Sequence, residues 1–260
     1  MDKLQLSEFN NLAKTLNLNI YKICYARVAH NQYTKFIDDC FNALKLRHLL
    51  VNIAEIVGAT ILNIAQRNYT PQGASATMMI AEGKSPTSPR KAISIAEAVV
   101  AHLDKSHVTA HTYPENCPTD GIQNFRIDID VSTCGKIPPL RALKFILENI
   151  RPDVAVIDYR IRGFTRSRNG IKLYNDYKLN SITDFLPSYI LDNYHWLDIN
   201  MPQENTFQTK MELKHINSTD HILAPLLEGI QTGQEQEIID LLRSEMREIF
   251  LGKKDHIKQN

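Results

Sequence analysis

The chain has 260 residues, with 30 lysines and arginines against 29 aspartates and glutamates, so its formal net charge is +1. This balance argues against general nucleic-acid binding, which needs surplus positive charge to displace counterions, and against a polybasic membrane anchor. Apolar residues make up 43% of the sequence, enough for a sizeable core, but their runs are too short for a transmembrane helix. Four cysteines do not make a disulfide framework in a chain of this length, so the sequence predicts a reduced, cytoplasmic protein without a nucleic-acid or membrane partner.

Glycine is scarce, with 10 residues, and these form no phosphate-binding loop. Neither G-x-G-x-x-G nor G-x-x-x-x-G-K occurs in the sequence. We therefore do not expect a nucleotide held through a glycine-rich loop.

Alternation and apolar periodicity predict strands and helices along most of the chain. The predicted strands cover residues 16–25, 60–66, 74–81, 98–103, 106–113, 125–132 and 154–161. The predicted helices cover residues 33–46, residues 47–57, a stretch that opens at Pro138-Pro139, and residues 233–251. Turns or loops are predicted at residues 70–73, 82–89 and 114–121, and the polar, aromatic-rich stretch 163–217 has no assigned element.

The predicted strands follow one another as hairpins and lack the steady strand–helix alternation of a doubly wound sheet. The predicted fold class is therefore α+β, with mostly antiparallel β-sheets and helices packed on the outer faces. We find no internal repeat and no low-complexity tract, which favours a single domain over residues 1–260.

Chemically reactive residue types concentrate in residues 100–115, VAHLDKSHVTAHTYPE. Alternate side chains of a strand share a face, and those predicted to share one here are His107, Thr109, His111 and Tyr113. Ser106 stands at the turn before this strand. Its hydroxyl can attack the carbonyl carbon of Lys105 while a histidine accepts the proton. The resulting ester can eliminate to dehydroalanine, which hydrolyses to a pyruvoyl group and ammonia and leaves two chains.

This stretch resembles the self-cleaving core of the long, single-gene form of bacterial S-adenosylmethionine decarboxylase. Further motifs occur in the order of that family: NIYKICYA at 19–26, GATILNIA at 58–65, PQGAS at 71–75, STCG at 132–135, IDYRIRGFTR at 157–166, QENTFQTKM at 203–211 and EMREIFLG at 245–252. The resemblance covers nearly the whole chain apart from residues 82–96 and 215–235. It implies the sandwich-like α+β fold of the family.

The resemblance also implies roles for individual residues. Ser106 matches the pyruvoyl precursor, with cleavage after Lys105 into a beta chain of residues 1–105 and an alpha chain of residues 106–260. His111 matches the proton acceptor in processing. Cys134, within STCG, matches the proton donor in decarboxylation.

Two further matches concern the substrate and the processing step. Glu115, in H-x-x-P-E, is similar to a carboxylate that holds the ribose hydroxyls of the substrate in related enzymes. Ser75, in PQGAS, lies at the position of a serine that assists processing in shorter relatives. The resemblance therefore suggests that both residues contribute to the site.

The implied reaction is the decarboxylation of S-adenosyl-L-methionine to S-adenosylmethioninamine, the aminopropyl donor for spermidine synthesis. The pyruvoyl ketone from Ser106 would form a Schiff base with the substrate amine, and the adjacent amide carbonyl would take up the electrons released with CO2. No organic cofactor is imported, which agrees with the missing phosphate-binding loop. The family further implies a divalent cation, usually magnesium, and assembly of the alpha and beta chains into a homo-oligomer of cleaved protomers. The sequence gives no metal-ligand set.

Other interpretations stay open at this point. A pyruvoyl-dependent ornithine or arginine decarboxylase would share the fold and the cleavage and differ only in its pocket. A non-catalytic regulatory homologue would keep the fold, although such proteins usually lose the self-cleaving serine or the acid. A zinc site would use His107, His111, Cys117 and Cys134. The sequence has no C-x-x-C and no H-E-x-x-H to support zinc, and Ser106 lies in D-K-S-H, without the G-x-S-x-G of a serine hydrolase.

Overall fold

A computed structural model describes residues 6–27, 30–82, 106–115, 121–223 and 232–253. The strands are β1 (Leu6–Asn10), β2 (Ala13–Tyr25), β3 (Ala59–Asn68), β4 (Ala74–Glu82), β5 (Ser106–Pro114), β6 (Ile122–Cys134), β7 (Val154–Arg162), β8 (Thr165–Ser167), β9 (Lys172–Leu173), β10 (Tyr194–Met201) and β11 (Thr206–Leu213). The α-helices are α1 (His30–Phe41), α2 (Ala43–Val57), α3 (Leu143–Ile150), α4 (Ser188–Leu191), α5 (Ser218–His221) and α6 (Thr232–Leu251). Short 3-10 turns occupy Pro139–Ala142, Ile182–Phe185 and Pro202–Glu204.

Eight strands form one large sheet in the order β10-β11-β7-β2-β6-β5-β4-β3, while β1, β8 and β9 form a small second sheet. The longest ladder joins β2 to β6 and runs from Ala13 opposite Cys134 to Tyr25 opposite Ile122. Every ladder of the large sheet is antiparallel. The predicted α+β class with mostly antiparallel pairing is therefore confirmed.

One face of the large sheet, which we call the core face, is apolar because alternate strand positions point to it. Its central side chains are Leu16, Leu18, Ile20, Ala110, Ile127, Ile129, Val131, Ile157 and Tyr159. Helices α2 and α3 belong to the same cluster through Leu46, Leu50, Ile53, Leu143 and Ile146. This single cluster supplies the main hydrophobic stabilisation of the fold.

Helices α1 and α2 are separated at Asn42. The side chain of Asn42 accepts a hydrogen bond from the backbone N–H of Lys45 (3.0 Å) and so caps α2. The helix ends at Gly58, whose φ of 74° is a left-handed conformation that glycine adopts without a steric penalty. The predicted boundary between residues 46 and 47 is therefore wrong, because apolar periodicity continues past the cap that makes the break.

The opposite face, which we call the polar face, is covered at one end by α6. The apolar side chains in this contact are Ile238, Leu242, Met246 and Phe250 of the helix and Ile23, Ile122 and Val154 of the sheet. Arg247 also pairs with Glu212 of β11 at 2.7 Å. The predicted C-terminal helix is thus confirmed. It does not cover the other end of the polar face, which carries polar side chains.

A buried ionic cluster joins the start of β7 to the segment before α6. The carboxylate of Asp153 accepts hydrogen bonds from the backbone N–H of Ile23 (2.6 Å), Nζ of Lys22 (2.7 Å) and Nε2 of His221 (3.1 Å). Burial opposes its ionisation, but the His221 hydrogen bond and the Lys22 charge outweigh burial and hold the pKa of Asp153 below its usual range. Burial likewise opposes the charge of His221, and its contact with Asp153 nevertheless raises its pKa.

Some elements of the structure were not predicted from the sequence. The stretch 163–217, predicted without elements, contains β8, β9, β10 and β11, and β1 was also not predicted. In β10 the exposed positions include the large apolar residues Trp196, Leu197, Ile199 and Met201, so its sequence lacks clear alternation. The predicted strand at residues 98–103 lies outside the described residues. In the described ranges, no helix combines the length and apolarity that crossing a bilayer requires.

Candidate active site

Ser106 and Cys134 lie side by side at one end of the large sheet. Ser106 is the first residue of β5 and is only 8% exposed, on the same side of the strand as the buried Val108 and Ala110. Its Oγ accepts a hydrogen bond from the backbone N–H of Cys134, the last residue of β6, over 2.9 Å. Lys105 lies outside the described residues. The structure therefore brings the predicted pyruvoyl precursor and the predicted proton donor together.

The chain turns immediately after Cys134. Gly135 has a φ of 69°, which favours glycine, and its backbone N–H donates to the carbonyl oxygen of Leu12 (2.9 Å). This turn ends β6 and leaves the thiol of Cys134 free and exposed. Cys134 thus combines a free, exposed thiol with a backbone N–H that contacts the nearly buried hydroxyl of Ser106.

Glu82 is a third polar residue at this end of the sheet, where the sequence pattern predicts only the start of a loop. It ends β4, two residues past Ile80, and Ile80 is the partner of Ser106 in the ladder. A Cβ atom built on Gly135 would meet Oε2 of Glu82, so the carboxylate lies against Gly135. None of the ion pairs within the described ranges involves Glu82. The register that brings it to Ser106 cannot be read from the sequence.

His111 lies elsewhere, on the polar face of β5. Five residues separate it from Ser106, or about 17 Å along the strand, and the odd number turns the two side chains to opposite faces. Its ladder partners are Ser75 on β4 and Asp128 on β6. Oγ of Ser75 lies 2.7 Å from the hydroxyl of Tyr69. The structure therefore brings His111 and Ser75 together, but within one chain it does not bring either to Ser106.

The polar face around His111 carries alternating acids and bases. Arg126 pairs with Asp128 at 3.1 Å, and His107 lies 3.3 Å from Asp130. Burial raises the pKa of Asp128, against the charges of Arg126 and His111. The side chains predicted to share a face are confirmed on this side, since they alternate with the buried positions of β5.

Glu115 directly follows β5. Its carboxylate accepts hydrogen bonds from the backbone N–H (3.1 Å) and Nδ2 (2.9 Å) of Asn124, and the same Nδ2 also contacts Glu245 of α6 at 2.8 Å. Nine residues, or about 30 Å of strand, separate Glu115 from Ser106. Within one chain the two residues cannot contact the same small molecule.

Distance along β5 also argues against the alternative zinc site. His107 and His111 share a face, but four residues of strand place them about 13 Å apart, too far to bind one ion within a chain. Cys117 lies outside the described residues. In the part of the chain that the structure describes, no group of three or more His, Cys, Asp or Glu side chains could hold a metal ion. We therefore assign no magnesium ligands within the described residues.

A buried ion pair on the core face was not predicted. Lys14 is fully buried on β2, is the ladder partner of Thr133 next to Cys134, and pairs with Asp176. The hydroxyls of Tyr159 and Tyr177 contact each other at 3.0 Å. Burial and the charge of Asp176 raise the pKa of both tyrosines. This pair fastens the segment after β9 to the sheet, one strand away from Cys134.

The family model and the curated relatives agree on one family. The family model described as S-adenosylmethionine decarboxylase matches residues 30–163. The S-adenosylmethionine decarboxylase proenzyme of Clostridium acetobutylicum is 45% identical, over 97% of this chain and 95% of the relative. That of Geobacillus kaustophilus is 44% identical, over 96% of each. Among solved structures, the adenosylmethionine decarboxylase of Aquifex aeolicus aligns over 66% of this chain and 100% of its own, with 15% identity and a TM-score of 0.35.

Proposed function

This chain belongs to the S-adenosylmethionine decarboxylase family, and from that premise we propose that it decarboxylates S-adenosyl-L-methionine. The products are CO2 and S-adenosylmethioninamine, an aminopropyl donor for spermidine synthesis. The electron sink is a pyruvoyl group that the chain makes from its own serine by autocatalytic cleavage. This origin requires a serine next to groups that can hold its oxygen and serve the later reaction.

The observation that carries the proposal is the hydrogen bond from the backbone N–H of Cys134 to Oγ of Ser106 (2.9 Å). A fixed donor orients the oxygen and stabilises the negative charge that develops when the hydroxyl loses its proton. In the proposed mechanism this oxygen attacks the carbonyl carbon of Lys105, and cleavage there yields residues 1–105 and 106–260. Once formed from Ser106, the pyruvoyl group would supply the electron sink that decarboxylation requires.

Cys134 has a second task in this proposal. Its thiol is exposed at the end of β6, while its backbone N–H holds Ser106. The same residue thus sets the position of the reacting carbon and offers it a proton. This arrangement supports Cys134 as the proton donor in decarboxylation.

The remaining predicted residues support assembly of more than one protomer. A general base must come within hydrogen-bond reach, about 3 Å, of the proton that it removes, whereas His111 lies about 17 Å along β5 from the Ser106 of its own chain. We therefore infer a homo-oligomer in which His111, Ser75 and Glu115 of one protomer serve the Ser106 of another. Glu115 would then reach the ribose of the substrate.

The two chains produced by cleavage are expected to stay together as one domain. Strand β2 of the first chain lies between β6 and β7 of the second, and β4 of the first chain pairs with β5 of the second. Separating the chains would break three ladders of the same sheet. The free thiols of Cys24, Cys40 and Cys134 support a reducing compartment, and we place the protein in the cytoplasm.

Denaturing electrophoresis, intact mass and CO2 release from carboxyl-labelled substrate test the proposal together. The active protein should consist of fragments of 105 and 155 residues, the larger with a blocked N-terminus. Ser106→Ala should remain one chain and release no CO2, and Cys134→Ala should lower decarboxylation by about 100-fold or more. The matched control is Ser188→Ala, at an exposed serine of α4. An active protein that stays a single chain would refute the mechanism.

Mixing two inactive variants tests the shared site. Ser106→Ala keeps His111, and His111→Ala keeps Ser106, so a mixed oligomer contains one complete pair. Co-expression should restore cleavage of the His111→Ala chain. Absence of any cleavage in a demonstrated mixed oligomer would contradict a site shared between protomers.

A further inference from the structure

Glu82 is a carboxylate at the same end of the large sheet as Ser106 and Cys134. Its Oε2 lies where a Cβ atom at residue 135 would stand. Its strand neighbour Ile80 pairs with Ser106. Glu82 therefore lies two residues along β4 beyond the ladder partner of Ser106, near the proposed cleavage point.

The chemistry at that point concerns a cation. The substrate carries its α-amino group as an ammonium ion at neutral pH, and the nitrogen must become a neutral amine before it can bond to a carbonyl carbon. A carboxylate next to that carbon would attract the ammonium group and accept one proton from it. Ser106 and the thiol of Cys134 are already committed to forming the carbonyl and to reprotonating the product carbon.

The surroundings of Glu82 favour a free carboxylate over a structural ion pair. The residue is exposed at the end of β4, and the ion pairs of the described residues do not include it. Its carboxylate lies against Gly135, which carries no charged side chain. A side chain at this position has no evident role in packing, since β4 is buried through Ala76, Met78 and Ile80 instead.

We propose that Glu82 is a substrate-binding and catalytic residue that holds the α-ammonium group beside the carbon of Ser106 and accepts its proton. One proton moves from nitrogen to a carboxylate oxygen, the ammonium becomes an amine, and nothing is oxidised or reduced. The inference rests on the proposed function, because it requires the ketone derived from Ser106.

Two reagents that differ in charge test the role of Glu82 separately from the formation of the ketone. Phenylhydrazine is mainly uncharged at neutral pH and reports the ketone of the cleaved enzyme by its absorbance. Methylamine is a cation at neutral pH, and sodium cyanoborohydride fixes it to the same carbon, where intact mass counts it. The variant is Glu82→Gln, and its matched control is Glu55→Gln at an exposed position of α2.

Glu82→Gln should keep the phenylhydrazine rate of the unsubstituted enzyme and slow methylamine capture by about 100-fold, within the range of general base catalysis. With S-adenosyl-L-methionine, the variant should show a raised KM together with a lowered kcat. Glu55→Gln should match the unsubstituted enzyme with both reagents. Unchanged methylamine capture, or an equal slowing of both reagents, would overturn the role of Glu82.

Two other outcomes are informative as well. An unsubstituted enzyme with no titratable ketone would overturn the proposed function itself, which is a different failure from that of Glu82. If Glu82→Gln does not self-cleave, Glu82→Asp keeps the charge but withdraws the carboxylate by one methylene. That variant should lose methylamine capture selectively, and equal loss with both reagents would count against the inference.

Discussion

The ionic cluster around Asp153 gives the sharpest test of the fold. In Asp153→Asn, the amide keeps the shape of the carboxylate but loses the charge that faces Lys22 and His221. Both Asp153 and His221 are almost completely buried. Removing one partner of a buried pair leaves an uncompensated charge and costs about 3–5 kcal/mol. We expect a loss of this size in the free energy of unfolding.

Urea denaturation followed by the fluorescence of the single tryptophan, Trp196, measures this loss. The measurement is best made in the Ser106→Ala background at one protein concentration, so that a single uncut chain unfolds. The matched control is Asp39→Asn, which removes an exposed i,i+4 pair with Lys35. That control should leave the free energy of unfolding nearly unchanged, because solvent screens an exposed ion pair.

The pH dependence of the same difference follows from two opposite shifts. The pKa of Asp153 is lowered from 3.8, so its contribution is present above that value and is lost as the pH falls through the folded-state pKa. The pKa of His221 is raised from 6.5, so its contribution is complete below that value and is lost as the pH rises through the folded-state pKa. The effect of Asp153→Asn should therefore be larger at pH 6 than at pH 9. A cost below about 1 kcal/mol, or a difference that is the same at both pH values, would refute this reasoning.

Three further outcomes are expected. Gly135→Ala should destabilise the protein by about 1–2 kcal/mol, because alanine is strained at a φ of 69° and meets a carboxylate; calorimetry checks this. Lys14→Ala should cost about 3–5 kcal/mol in urea unfolding because it leaves the mostly buried Asp176 unpaired, whereas replacing both partners by apolar residues should cost much less. Iodoacetamide at pH 8 should modify the exposed Cys134 well before the buried Cys24, because burial raises the pKa of Cys24 to about 12; peptide mass mapping records the order.

Much of the fold could be predicted because strand alternation is a local property. The pattern of β2, with Leu16, Leu18 and Ile20 at every second position, appears unchanged as the core face of the sheet. The C-terminal helix could also be predicted from the sequence, because its apolar stripe repeats with helical spacing. Strands β10 and β11 were not found, because one is an edge strand with exposed apolar residues on both faces and the other interrupts its pattern with the buried Thr209.

The candidate site divides in the same way. The motif around Ser106, His111 and Cys134 was recognisable in the sequence, and so was the shared face of His107 and His111, which needs only the two-residue period of a strand. The contact of Ser106 with Cys134 could not be recognised in the sequence, because it depends on the register between β5 and β6. That register brings together residues 28 positions apart.

The sequence by itself determined the residue types available for chemistry, the α+β composition and the family resemblance, all of which depend on neighbouring residues or on their order. Only the tertiary structure decided which of these residues meet. Ladder register brought Glu82, Ser106 and Cys134 to one end of the sheet and turned His111 to the other face. Register is set by the packing of strands distant in the chain, such as β2 between β6 and β7, so no local pattern of residues contains it.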